Sequence, residues 1–137
     1  MVQFYFLSIL ISVLGGLVLA SDRLKGAFPV AKAARDYLDE KPTVKLIFAL
    51  AAVVVGILKL LSATKGDTPV VGDLLPVLAG WAVGVVLFLE YYSVRNDMDE
   101  TSMGTPTNVL VRNKTIIGIA AAVIGLVHFF IPGVLFL

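Results

Sequence analysis

Two ionisable side chains, Lys59 and His128, stand in stretches of sequence that are otherwise apolar. An uncompensated charge in hydrocarbon costs on the order of 3 kcal/mol, so such a residue is a candidate for contact with an ion or ligand. Lys59 lies near the end of the run Val44 to Leu61. His128, the one histidine of the chain, lies in the run Thr115 to Leu137 and could handle a proton near neutral pH. At about 1.5 Å rise per residue, Ser8 and Trp81 reach a similar depth on runs that travel the other way. These four form a candidate ligand or pathway site. Plainer readings stand beside it. Lys59 can extend its ammonium outward toward Asp67 or Asp73, and His128 can be a neutral imidazole hydrogen-bonded between helices.

Other chemistry has little to work with. The absence of cysteine removes thiolate nucleophiles, thiolate metal sites and covalent haem attachment. One copy, with its single histidine, cannot build a bis-histidine haem or a multi-histidine zinc site, although an oligomer could supply a second histidine, and no metal and no cofactor is expected. Ser8 or Ser12 with His128 is the sole nucleophilic pairing, and no glycine-flanked turn presents either serine. There is no phosphate-cradling glycine loop and no paired carboxylate within a run. An enzyme is therefore not expected. Glu90, beside Tyr91 and Tyr92, reads as an interfacial anchor, with gating or a salt bridge to the first loop as the alternative.

The elements that hold these residues are apolar helices. Of 137 residues 58% are hydrophobic and 15% charged, with a mean hydropathy of +0.95. Roughly 20 apolar residues cross a bilayer core, so about 80 suffice for about four crossings. Apolar runs extend over Val2 to Ala20, which carries no charge, Val44 to Leu61, about Leu74 to Tyr92, and Thr115 to Leu137. Lipid leaves unpaired backbone groups without partners, which makes all four helical. The expected fold is an all-α integral membrane protein, a four-transmembrane-helix bundle in a single domain over 1–137. A soluble enzyme with a water-facing cleft is excluded by the same arithmetic. The net charge of +1 gives no reason to expect nucleic acid as a partner.

Charge placement orients the chain. Arg23, Lys25, Lys32, Arg35, Lys41, Lys45, Arg95, Arg112 and Lys114 flank the first and third loops, whereas Lys59 and Lys65 lie on the other side. Basic residues favour the cytoplasm, so loops 1 and 3 are expected inside the cell's inner membrane and both termini outside. In the first loop, Pro29 can open a helix. Val30, Ala33, Ala34, Tyr37 and Leu38 then recur at helical spacing, opposite Lys32, Arg35, Asp36, Asp39 and Glu40, until Pro42. This predicts a short interfacial helix, or a docking helix for a cytoplasmic partner. The third loop, Ser93 to Asn113, reads as irregular and mobile. The second, Ser62 to Gly72, is a short turn-rich connection through Lys65-Gly66-Asp67-Thr68-Pro69.

An offset of 69 residues lays Lys45 to Leu61 over Lys114 to Phe130 with six identities in 17 positions, and Gly15 over Gly84. Two halves, about 1–68 and 70–137, would then be parallel two-span repeats. Small residues give each span a contact face: Ser8, Ser12, Gly16 and Ala20, then Ala52 and Gly56, then Gly80 and Gly84, then Ala121 and Gly125. Such residues let helix backbones approach closely in lipid, within one chain or between subunits. Pro76 near the start of the third span and Pro132-Gly133 in the last are expected to bend or fray them.

The sequence thus predicts a small membrane protein that acts by association in the lipid bilayer, as a homo-oligomer or as an accessory part of another membrane subunit's complex. The alternative is a channel or transporter for a small solute or ion, with Lys59, His128, Ser8 and Trp81 at its outer mouth.

Overall fold

The computed structural model describes residues 2–24, 26–61, 74–99 and 102–131. The second loop, with Lys65, Asp67 and Asp73, and the Pro132-Gly133 bend lie outside them. Six helices and no strand occur among the described residues: α1 (Val2–Ala20), α2 (Pro29–Glu40), α3 (Pro42–Leu61), α4 (Leu74–Arg95), α5 (Thr105–Arg112) and α6 (Lys114–Phe130). The order is long, short, long, repeated once.

Local chemistry sets the boundaries. Pro29 opens α2, as its fixed φ and missing N–H allow at a first helical turn. Pro42 disfavours helical geometry at Lys41, which separates α2 from α3, and itself begins α3. At the end of α4 the Met98 N–H donates to the Ser93 carbonyl and the Asp97 N–H to that of Val94, with Asp97 at φ 48°. That is a Schellman closure, in which aspartate fills the left-handed position more often taken by glycine.

The third loop departs from expectation. Thr105–Arg112 is helical, with Pro106 in its first turn and Val111 buried. A segment poor in apolar residues gains its helix here by seating one valine against its neighbours, which period and composition do not disclose. The fourth run departs as well. As described, α6 has 17 residues and meets α5 at a 63° bend, whereas α1, α3 and α4 are each long and apolar enough to cross a membrane alone. Three such helices, or four if the bent pair is one span, fit a membrane protein.

The most extensive contacts join α1 to α6 and α3 to α4, and α4 also packs on α6 and α1. Val18, Leu19, Val83, Val86, Leu87, Ala49 and Ala121 fill the centre of these helices, and Ile11, Ala52 and Val55 form a second apolar group. Outward stand Leu10 and Leu14 of α1, Ile47, Leu50 and Val54 of α3, and Ile116, Val123 and Leu126 of α6. α2 rests on α1 and α3 through Ala31 and Leu38, leaving Val30 and Tyr37 exposed.

The small residues are where the helices come closest. A Cβ built on Gly16 would lie 2.5 Å from the Gly118 carbonyl oxygen, and one on Gly84 would lie 2.8 Å from that of Ala49. A Cβ on Gly56 would strike the Trp81 indole, and one on Gly125 would meet Val13 and Ser12. Gly80 is buried but roomier: its Cβ would meet nothing closer than 3.9 Å. Ser12 is fully buried, and its hydroxyl finds no hydrogen-bond partner among the described residues.

Candidate functional site

Two polar clusters lie at opposite ends of the long helices. The first sits where α1 begins and α3 and α6 end. Lys59 Nζ and His128 Nε2 are 2.8 Å apart, and both residues are buried. A contact of that length needs a proton on one nitrogen and a lone pair on the other, so the pair shares a donor and an acceptor. Tyr5 closes the cluster. Its hydroxyl donates to the His128 carbonyl oxygen at 2.7 Å, and its ring lies 5.0 Å from Lys59 Nζ, within cation–π range.

Of the four residues grouped by depth, the structure brings two together. The Ser8 hydroxyl donates to the Tyr5 carbonyl oxygen at 2.8 Å, within its own helix. Trp81 packs on Gly56, and its indole N–H donates to the Val53 carbonyl oxygen at 3.1 Å. The polar atoms of both are thereby engaged with backbone. Tyr5, in the first turn of α1, is the member that grouping by depth missed. An aromatic residue with a hydroxyl one turn into a span is the signal for it, because a buried Tyr O–H normally finds an acceptor.

The second cluster sits where α3 and α6 begin and α4 ends, and Glu90 is its centre. Arg35 Nη2 of α2 donates to Glu90 Oε1 at 2.8 Å, and Lys114 Nζ of α6 reaches the same oxygen at 3.0 Å. Lys45 Nζ of α3 stands 4.0 Å from the other carboxylate oxygen, Oε2, and is hydrogen-bonded to Asp39. Arg35 Nε also donates to Asp39 at 3.0 Å. The side chains of Glu90, Lys45 and Arg35 retain 7%, 6% and 12% of their exposure. A buried charge must be paired and hydrogen-bonded to be tolerated, and one carboxylate here serves cations from three other helices.

Electrostatics at this end follow from that pairing. Burial disfavours the charged form of Arg35, but the hydrogen bond and charge of Glu90, with the charge of Asp39, outweigh it and raise its pKa above the ordinary value. For Asp39 burial again works against the charge. The hydrogen bond from Lys45 and the charges of Arg35 and Lys45 prevail and hold its carboxyl below the usual range. Beside the cluster is a cavity of about 290 Å³ bordered by Arg35, Asp39, Lys45, Glu90, Tyr91 and Ser93, among others. Arg95 donates to the Tyr91 hydroxyl at 2.7 Å.

Residues 1–128 match the model of a protein family of unknown function. The chain belongs to that family. No curated protein and no solved structure matches it. The matched stretch includes every residue of both clusters, so the geometry above is that of the family's own segment. Sequence reading allowed Glu90 a salt bridge to the first loop, and Arg35 supplies it. It treated Arg35, Lys45 and Lys114 as orienting charges alone. The signal for more was Glu90 itself, an acidic residue closing an apolar run near the level where α3 and α6 begin with Lys45 and Lys114.

Proposed function

We propose that this chain is a four-span inner-membrane protein that works by association, as a homo-oligomer or as an accessory subunit of a membrane complex. In this reading α6 belongs to the fourth span, and the first and third loops, the latter with α5, face the cytoplasm. The observation that carries it is where apolar surface remains once the chain has packed. Gly16, Gly56, Gly84 and Gly125 are occupied by neighbouring helices of the same chain. An apolar groove of about 240 Å³ nevertheless stays open between α4 and α6, bordered by Leu75, Leu78, Ala82, Ile117, Ala120 and Ile124. Apolar grooves with small residues at their base suit helix contact in lipid.

A two-half architecture accords with the contacts. Gly56 meets Trp81 and Gly125 meets Ser12, and the 69-residue offset carries each pair onto the other. The same offset exchanges the two most extensive helix pairs, α3 with α4 and α6 with α1. This pattern supports parallel repeats about an axis along the membrane normal.

Native mass spectrometry of protein gently extracted from its own membrane tests the association. Extra copies or a foreign subunit are expected, and Ala120→Phe, which fills the groove, should release them. A monomer in both cases would end this reading. The second reading, a channel or carrier for a small ion, draws on the Lys59–His128 contact. Against it, Val83, Val86 and Leu87 are fully buried on α4 in the apolar core between the clusters. It requires Lys59→Ala or His128→Ala to change flux in reconstituted vesicles.

A further inference from the structure

We infer that the cavity beside Glu90 is a binding site for a phosphate-bearing anion. The proposal does not depend on how the spans associate. Among the described residues, the connected ion pairs around Glu90 join three cations, Arg35, Lys45 and Lys114, to two carboxylates, Glu90 and Asp39. One positive charge is in excess. It is held on groups that are largely withdrawn from water, where an uncompensated charge is costly and a counter-ion relieves it. Asp39 lies nearly half exposed, so its share of compensation is screened, whereas the excess cationic charge is not.

Hydrogen bonding gives an independent reason. Arg35 Nη2 and Nε are both engaged, but Nη1 is buried and finds no acceptor among the described residues. A buried guanidinium nitrogen without an acceptor is what bound phosphate or carboxylate oxygens ordinarily satisfy. Arg95, on the Tyr91 hydroxyl at the cavity border, adds a further cation. Lys45 is in the first turn of α3, whose N-terminal dipole adds to the same field. Glu90 Oε2, which accepts no hydrogen bond, is the feature that opposes an anion. It stands 4.0 Å from Lys45, which turns its positive charge toward that oxygen. The cavity, at about 290 Å³, is the size of about ten waters and exceeds one phosphate group. Basic pockets between helices at a membrane surface take the phosphates of anionic lipids, and a free phosphate would use the same groups.

The test uses the full chain in nanodiscs of phosphatidylcholine alone, in nanodiscs of phosphatidylcholine with phosphatidylglycerol, and in phosphatidylcholine with added inorganic phosphate. Lipid retained through native mass spectrometry and the midpoint of thermal unfolding are read for the wild type, Lys45→Gln and Lys32→Gln. Lys32 is on the exposed face of α2 and serves as an equal charge change away from the cavity. If the phosphate comes from lipid, wild type and Lys32→Gln keep phosphatidylglycerol over phosphatidylcholine, and Lys45→Gln weakens that preference about fivefold or more. If it is free phosphate, inorganic phosphate raises the midpoint of the wild type and not of Lys45→Gln, without lipid preference. Should Lys45→Gln fail to fold, Lys114→Gln, which is more exposed, takes its place. A wild type that neither prefers the anionic lipid nor responds to phosphate overturns the proposal, as does an equal loss in Lys32→Gln.

Discussion

Glu90 is the residue whose replacement should be felt furthest from itself. Its carboxylate is shared by Arg35 and Lys114 at hydrogen-bond distance, with Lys45 close by, so Glu90→Gln leaves three cations crowded around a neutral amide. Breaking a buried pair from one side costs about 3 kcal/mol, and chemical unfolding of the variant in detergent should show a loss of that order. A loss under about 1 kcal/mol would mean that the cluster behaves as a surface network. Asp39 supplies a pH test with a definite sign. Its folded pKa is depressed, so the stability it contributes is present above the ordinary carboxylate value, about 3.9, and is lost as pH falls through the lower folded value. Wild type should therefore outlast Asp39→Asn at neutral pH, and their unfolding midpoints should converge in acid.

At the scale of helices, the close approaches make a graded prediction. Gly84→Ala forces a methyl to 2.8 Å from the Ala49 carbonyl oxygen, a backbone atom that cannot turn aside, and should destabilise by about 1–3 kcal/mol. Gly80→Ala, one turn earlier on the same helix, has 3.9 Å to its nearest neighbour and gains helix propensity, so its unfolding midpoint should be unchanged or raised. The two glycines look alike in sequence, because spacing alone does not tell a tight face from a loose one. The long helices were legible for a simple reason: an apolar run of bilayer length has one way to satisfy its backbone, and α1 spans the residues that hydropathy marks. α2 was legible from period and proline. α5 was not, since its helix depends on what Val111 packs against. The site was half legible. Depth placed Lys59 beside His128, whereas the turning of Ser8 and Trp81 toward backbone depends on rotation about each helix axis, which depth does not specify.

For the whole molecule, the proposed orientation can be read directly because the chain carries no cysteine. Gly26→Cys and Asn96→Cys, at exposed positions in the first and third loops, should react with a membrane-impermeant maleimide only once the cytoplasmic side is opened. Leu61→Cys, exposed at the far end of α3, should react from outside. The reverse pattern would invert the topology. The tie at Glu90 also bears on how the molecule is made. Arg35 and Lys45 leave the ribosome long before Glu90, and Lys114 follows later still. Until α4 is in place, the two earlier cations have only Asp39 of α2 as a partner, and until α6 arrives Glu90 lacks Lys114. α2 can therefore rest early on α1 and α3, through Ala31, Leu38 and the Asp39–Lys45 bond, whereas its tie to the second half of the chain closes last.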